Sequence, residues 1–245
     1  MVIFLIAFVL LLVIGVPISI SIGASAVLGC LSLGYPLVVI GQKMVSGIDS
    51  FLLIAVPLFI LAGNLMNAGK ITEKIFDTAK ELVGWIPGGL GHANVVASII
   101  FAGMSGSAVA DAGGLGAIEM EAMKKNGYDE DFAGAVTAAS SVIGPIFPPS
   151  IPLIIYGSVA SVSVDQLFMG GVVPGLLMGV LLMVMVLYFA IVRRYERHPF
   201  RLRALIRQFL GSIPALITPV IILCGFVVGW FTPTEASSIA VIYSL

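Results

Sequence analysis

Two apolar stretches of this sequence are interrupted by residues that break helices and supply oxygen ligands. The first interruption, residues 103–116, is rich in glycine and contains Ser105, Ser107 and Asp111; the second, residues 140–152, contains three serines and four prolines. Opened helices leave carbonyl oxygens free, and serine hydroxyls add further oxygen ligands. The C-terminal end of a half-helix favours a cation and its N-terminal end favours an anion. These residue types therefore favour a binding site for an ion and a small charged solute.

Asp111 is a candidate for a ligand-binding side chain. It is the sole Asp, Glu, Lys or Arg between Glu81 and Glu119, and ionisable residues within membrane segments are functional candidates by default. Two alternatives remain open. The Gly/Ser run could serve close helix packing through small residues, and Asp111 could cap a half-helix or pair within the protein. The presence of two interrupted segments in one chain favours the ligand site.

The composition indicates that lipid surrounds these segments. Of the 245 residues, 59% are hydrophobic and 10% are charged, whereas a soluble domain carries about 25% charged residues. The net charge of −1 gives no sign of nucleic-acid binding. The N-terminus lacks a basic region and a small-residue cleavage site, so we expect a retained first helix rather than a removed signal peptide.

The apolar pattern predicts an all-α, multi-spanning protein. A span needs about 20 apolar residues, and Gly15-Val16-Pro17 predicts a kink in the first stretch. Charged and apolar residues alternate at helical spacing over 70–83, which predicts an amphipathic helix along the membrane interface, with a solvated connecting helix as the alternative. The predicted apolar segments are residues 2–33, 46–66, 86–124, 132–162, 166–192 and 209–231.

The basic residues predict the topology. All six arginines lie in residues 193–207, and the positive-inside rule places this loop in the cytoplasm. Counting spans backwards puts every basic residue except Lys43 on the cytoplasmic side, together with the N-terminus. The count holds whether 86–124 forms two spans or a re-entrant hairpin, because both return to the same side.

Four segments resemble the large membrane subunit of TRAP transporters, the DctM-like permeases of the ion-transporter superfamily. They are PLFILAGNLMNAGKI (57–71), GGLGHANVVASIIFAGMSGSAVADAGGLG (88–116), SSVIGPIFPPSIPLIIYG (140–157) and GWFTPTEASSIAV (229–241). The resemblance implies sodium-coupled import of organic acids such as C4-dicarboxylates or sialic acid. It also implies a periplasmic substrate-binding protein, a small four-helix membrane subunit and a location in the bacterial inner membrane.

The resemblance also implies an elevator-type fold and assigns residues to its sites. This chain would hold the first of two inverted repeats, with a re-entrant hairpin at 86–124 and a broken helix after it. Ser150 would lie near the substrate, and Asp111 is a weaker candidate for the same role. The first sodium site would comprise Ser105, Gly106, Ser107, Ser140, Ser141, Gly144, Pro145 and Pro148.

The resulting division of the chain has five parts. Because members of that family are much longer, we expect a truncated chain that lacks the second hairpin and the second sodium site. The parts are N-terminal scaffold spans (1–69), an arm helix (70–85), the transport-domain hairpin and broken helix (86–162), further spans with the arginine loop (163–231) and the start of a second repeat (232–245).

Two other functions compete with transport. A channel is the more serious rival, because broken helices also line channels. Gly103-Met104-Ser105-Gly106 fits the GxSG pattern of rhomboid intramembrane proteases, in which the serine needs a histidine base on a neighbouring span. His92 lies in the same segment as Ser105, about 20 Å away along a helix, and His198 lies in the arginine loop. We therefore expect no enzyme.

Overall fold

The computed structural model describes residues 2–195, 197, 199 and 202–245. His198 and Arg201, which entered the predictions above, lie outside the described residues. Regular structure in the described part is helical throughout, without strands, which confirms the all-α prediction. The chain divides into two compact units, residues 1–50 and 51–245.

The first unit shows that the apolar stretch 2–33 is not one kinked helix. Its helices are α1 (Val2–Val13), α2 (Ile18–Ser32) and α3 (Val38–Ile48). Helix α1 ends because Gly15 adopts a left-handed backbone with φ 87° and the N–H of Val16 donates to the Leu11 carbonyl. The chain then turns back, since a Cβ on Gly29 would lie 3.4 Å from the Cβ of Phe4. The prediction of one span over residues 2–33 is therefore wrong, and the span count no longer places the N-terminus on the cytoplasmic side.

The second unit contains the interrupted segments. Among the described residues, three helical stretches are long and apolar enough to cross a membrane: Phe51–Ala68, Val164–Arg193 and Leu202–Phe226. The first of these starts five residues later than predicted, because α3 ends at Ile48. The helices of this unit are α4 (Ala55–Ala68, after a 3₁₀ turn at Phe51–Ile54), α5 (Ile71–Val83), α6 (Gly89–Ser105), α7 (Ala108–Ala110), α8 (Gly116–Lys125), α9 (Glu130–Ser141), α10 (Ile151–Ala160), α11 (Val164–Arg193), α12 (Leu202–Val228) and α13 (Pro233–Ser244).

Helix α5 is amphipathic, as predicted, but its apolar face meets protein. Ile75 and Phe76 are buried, and α5 packs against α6 and α12. The Thr78 hydroxyl donates to the Ser212 hydroxyl of α12 over 2.7 Å. Helix α5 is thus fastened to the bundle that carries the first interruption.

Glycines on α11 allow the second interruption to approach closely. Cβ atoms built on Gly171 and Gly175 would meet the Ile146 carbonyl and the Phe147 side chain, and one on Gly179 would lie 2.5 Å from Ile99 of α6. Small residues at such spacing let helices in a membrane pack at short range. Helix α11 is therefore the surface on which the broken segment and α6 rest.

Ion pairs gather the charged ends of several helices at one end of the unit. Lys124 of α8 pairs with Glu130 of α9 over 2.7 Å, and Asp129 pairs with Arg193 of α11. Residues 124–131 and Arg193 thus lie at the same end, as the charge count predicted. The arginine region is shorter than predicted, because α12 begins at Leu202 and includes Arg203 and Arg207.

Helix α13 begins with a capping box. The Thr232 side chain accepts from the backbone N–H of Glu235, and the Glu235 carboxylate accepts from the backbone N–H of Thr232. Glu235 is therefore part of the N-terminal cap of α13.

Candidate functional site

The first interruption is a sharp turn between two helical arms. Helix α6 ends at Ser105 because Gly106 adopts a left-handed backbone with φ 60°, a conformation that glycine adopts without penalty. Ser107 then caps the next helical segment, since its hydroxyl accepts from the Ala110 N–H over 3.3 Å. That segment continues through a π-helical turn at Asp111–Leu115 into α8. Both arms pack together, and neither is among the candidate spans, which favours a re-entrant hairpin.

The second interruption is the irregular segment 142–150, between α9 and α10. Helix α9 ends at Ser141, where the chain approaches Pro145, and α10 begins at Ile151 with Ser150 as its cap. The Ser150 hydroxyl accepts from the Leu153 N–H and donates to the Pro145 carbonyl. The prolines remove backbone donors, so this segment cannot remain helical.

The two interruptions contact each other directly. The Ile151 N–H donates to the Gly106 carbonyl over 3.2 Å. A Cβ on Gly106 would collide with the Pro149 carbonyl oxygen, and one on Gly144 would lie 3.3 Å from the Ser107 carbonyl carbon. The hairpin tip and the broken helix are therefore in close contact and are joined by one backbone hydrogen bond.

A buried polar chain lies behind this contact and connects α6 with α9. The Ser140 hydroxyl donates to the Asn94 amide oxygen over 2.7 Å, and the Asn94 amide nitrogen donates to the Thr137 hydroxyl over 2.8 Å. The Ser141 hydroxyl donates to the Thr137 carbonyl over 2.7 Å. Asn94 was not predicted, although a lone amide in an apolar segment was a visible signal.

The predicted site residues fall into two groups. Gly106, Ser107 and Gly144 meet at the tip contact, and Ser105 lies beside it against Gly63 of α4. Other predicted positions stand back from the tip: Ser140 and Ser141 join the polar chain, and Pro145 accepts the Ser150 hydroxyl. Pro148 lies in the irregular segment.

Neither predicted substrate residue is exposed. Ser150 has 0% of its surface accessible and Asp111 has 1%. Asp111 lies in the π-helical turn, beside the hydroxyls of Ser98 and Ser141. In this conformation both residues are enclosed by protein.

The helix ends at this contact favour a cation on one side and an anion on the other. Helices α6 and α9 end here, and their last carbonyl groups carry partial negative charge that favours a cation. Helix α10 begins at Ile151, and its first N–H groups favour a negative charge. The Ser105 hydroxyl is buried without a hydrogen-bond partner among the described residues, so it is available as an oxygen ligand.

Comparison with known proteins identifies the family. Residues 5–245 match the family described as "Tripartite ATP-independent periplasmic transporter, DctM component". The chain belongs to the DctM family of TRAP transporter large permeases. This DctM-family chain is 50% identical over 205 residues to the sialic acid TRAP transporter large permease protein SiaM of Vibrio cholerae, an alignment that covers 83% of this chain and 48% of the relative.

Two further relatives of this DctM-family chain carry different substrate names. The 2,3-diketo-L-gulonate TRAP transporter large permease protein YiaN of Escherichia coli is 42% identical over 208 residues, covering 84% of this chain and 49% of the relative. The C4-dicarboxylate TRAP transporter large permease protein DctM of Vibrio cholerae is 37% identical over 237 residues, covering 96% and 52%. The chain spans about half the length of these curated relatives.

These relatives are described as permeases rather than enzymes, in agreement with the expectation of no enzyme. His92 is buried near the start of α6, and Ser105 is the last residue of the same helix. This placement gives the GxSG serine no histidine base at hydrogen-bonding distance within the described residues.

Proposed function

We propose that this DctM-family chain forms a cation- and substrate-binding part of a sodium-coupled secondary transporter for small organic acids. The observation that carries the proposal is the contact between the two interruptions, in which Gly106 accepts from Ile151 and faces Pro149. Irregular backbone at membrane depth is tolerated where protein or a water-filled cavity pairs its polar groups. Two such segments in contact provide ligand oxygens without exposing them to lipid.

The donor set at the contact fits a sodium ion. Hard cations prefer oxygen ligands, and the ends of α6 and α9 supply carbonyls beside the hydroxyls of Ser105 and Ser107. Ser140 and Ser141 donate their protons elsewhere, but a hydroxyl that donates keeps lone pairs for a cation. With Gly106, Gly144, Pro145 and Pro148 as backbone ligands, these residues constitute the proposed first sodium site.

The substrate carboxylate is proposed to bind on the α10 side of the contact. The N-terminal end of α10 carries partial positive charge, and Ser150 caps it. Sialic acid, diketogulonate and C4-dicarboxylates, after which the relatives are named, all carry carboxylate groups. A sodium ion bound nearby adds positive charge, so ion and substrate bind cooperatively. Because Ser150 is enclosed by protein, we assign it to an occluded form of the substrate site.

The remaining parts of the proposal follow from the family. The hairpin and broken helix, within residues 86–162, move as a transport domain in an elevator mechanism, and α5 links them to the scaffold. A periplasmic binding protein delivers the substrate, and a small four-helix subunit completes the permease in the bacterial inner membrane. Residues 193–207 face the cytoplasm.

Uptake by proteoliposomes tests this function. The purified permease, its small subunit and a binding protein are supplied with a labelled organic acid, and sodium is varied against choline. Ser107→Ala and Ser141→Ala each remove a hydroxyl ligand, a loss of about 1.5–3 kcal/mol, so we expect the sodium concentration for half-maximal uptake to rise by about tenfold or more.

Ser46→Ala is the matched control, because Ser46 is exposed and bonds to a carbonyl within α3. All variants must elute from size-exclusion chromatography like the parent protein. Full-rate uptake without sodium and without binding protein would refute the secondary transporter and favour a channel. Unchanged sodium dependence in both serine variants would refute the proposed sodium site.

A further inference from the structure

Two carboxyl groups are buried inside the hairpin. Asp111 in the π-helical turn is 1% exposed, and Glu119 on α8 is 0% exposed. None of their four carboxyl oxygens has a hydrogen-bond partner among the described residues. The two groups are close enough for the charge of Asp111 to act on Glu119. Glu119 was missed from the sequence, although it is the first acidic residue after Asp111.

No positively charged side chain in the described part of the neighbouring helices faces these carboxyls. The turn and α8 pack against α5, α6 and α9. On α8, Lys124 and Lys125 are occupied by Glu130 and Glu121, and α9 contributes only the acidic Glu130 and Asp131.

The remaining charged groups on these helices also face elsewhere. On α5, Lys74 is exposed and Lys80 acts on Asp77. On α6, Ser98 lies beside Asp111, and His92 is six positions earlier, a separation that places the two side chains on different faces of a helix. The charges of Asp111 and Glu119 are therefore uncompensated by protein cations.

Such an arrangement is stable only if protons or a bound cation neutralise the two carboxylates. A buried ion without a partner costs several kcal/mol, and here two carboxylates share one enclosed region. A third oxygen points to the same place. The Ser98 hydroxyl is 1% exposed, lies beside the Asp111 carboxyl and has no well-formed hydrogen bond among the described residues. The π-helical turn that carries Asp111 is a feature frequent at functional sites.

We propose that Asp111, Glu119 and Ser98 form a second cation site, inside the hairpin and separate from the oxygen ligands of the tip contact. The ligands are hard oxygens, which select a small hard cation. Two carboxylates and one hydroxyl offer five side-chain oxygens. That number is below the six to eight that Ca²⁺ takes, and Mg²⁺ keeps several waters, which a fully buried site does not favour. Sodium is therefore the assigned ion.

A cation bound at this site would connect three segments of the hairpin. Ser98 belongs to α6, Asp111 to the π-helical turn and Glu119 to α8. A cation between them holds the two arms of the hairpin together and offsets one of the carboxylate charges. The Ser98 hydroxyl beside Asp111 stabilises the other. This site goes beyond the sodium site proposed at the tip.

Equilibrium binding of ²²Na⁺ to the purified permease tests the assignment, with choline keeping ionic strength constant. We expect Glu119→Gln to bind about one sodium ion fewer per permease, and Ser98→Ala to weaken binding of that ion by about tenfold. Glu121→Gln is the matched control, because Glu121 lies on the same helix, is exposed and pairs with Lys125. Should Glu119→Gln not fold, Ser98→Ala carries the test, since it removes one oxygen atom and no charge.

Three outcomes overturn the proposal. The site does not exist if Glu119→Gln and Ser98→Ala both bind sodium like the parent protein. It is not separate from the tip if adding Ser107→Ala to Glu119→Gln removes no further sodium. Sodium is the wrong ion if stoichiometric Ca²⁺ or Mg²⁺ displaces it from the parent protein but leaves binding to Glu119→Gln unchanged. If Glu119→Gln binds sodium like the parent protein while Ser107→Ala raises the sodium requirement of uptake, the second site is refuted and the transport proposal still stands.

Discussion

Gly106→Ala should uncouple the hairpin tip from the broken helix. Gly106 has a left-handed backbone with φ 60°. A Cβ at this position would collide with the Pro149 carbonyl oxygen and lie 3.2 Å from the Ile151 nitrogen. Both neighbours are backbone atoms, so no side-chain rotation relieves the clash. The contact between the two interruptions must open for the alanine to fit.

The penalty can be divided between strain and clash. A non-glycine residue in the left-handed region costs about 1–2 kcal/mol, and overpacking a close contact costs about 1–3 kcal/mol more. Gly127 provides the matched control, because its φ is 79° and a Cβ there would meet nothing within 4 Å. Gly127→Ala therefore carries only the strain. Since 1.4 kcal/mol corresponds to tenfold, the clash should weaken the tip contact by about fivefold to more than a hundredfold beyond the control.

Sodium-driven uptake by proteoliposomes and thermal unfolding in detergent measure this difference. We expect Gly106→Ala to lose uptake and sodium-dependent stabilisation, while Gly127→Ala retains both with a small fall in midpoint temperature. Gly113→Ala, at a helical position with open space around it, should behave like the parent protein. Equal behaviour of Gly106→Ala and Gly127→Ala in both assays would refute the claim that the two interruptions depend on each other.

Two further predictions concern stability. Hydrogen bonds from Tyr195 and Arg193 lower the pKa of Asp129 below its ordinary value of 3.8. The stabilisation is therefore present above pH 3.8 and disappears as the pH falls through the lower pKa of the folded protein. Asp129→Asn should lower the thermal midpoint at pH 7, and a difference from the parent protein that persists at the lowest pH would contradict this. Asn94→Ala should destabilise the protein by about 1–3 kcal/mol, because the buried hydroxyls of Thr137 and Ser140 lose their hydrogen bonds to Asn94. Asn126→Ala, at an exposed position, should not lower the thermal midpoint. Equal shifts in midpoint would show that the polar chain does not stabilise the fold.

The positions of both interruptions were predictable because local chemistry decides them. The clustered prolines at 145, 148 and 149 interrupt a helix, since three backbone donors are absent within five residues and each ring clashes with the preceding turn. The turn at Gly106 follows from a Gly/Ser run at the end of an apolar helix. The amphipathic spacing over 70–83 likewise specified α5 without knowledge of its partners.

Features that depend on packing were not predictable from local patterns. An apolar run such as 2–33 is compatible with one kinked helix or with two packed helices, and the turn-back after Gly15 depends on contacts such as that of Phe4 with Gly29. Glu119 reads as an ordinary surface residue beside Glu121 and Lys124. Only the packing of α8 against α6 and α9 buries it. Glu119 is buried and Glu121 is exposed although they are only two positions apart. The sequence does not show which of the two the helix bundle buries.

The mutual contact of the interruptions also constrains how the site can move. Ile151 donates to Gly106, and each backbone group left unpaired in lipid costs several kcal/mol. The tip therefore cannot leave the broken helix while both remain at membrane depth unless water or a ligand replaces the lost bond. If the proposed transport function holds, a step that exposes the substrate must either carry hairpin and broken helix together as one body or open the tip only towards water. The glycine contacts on α11, where Gly171 and Gly175 face the broken segment, hold that helix against the same segment.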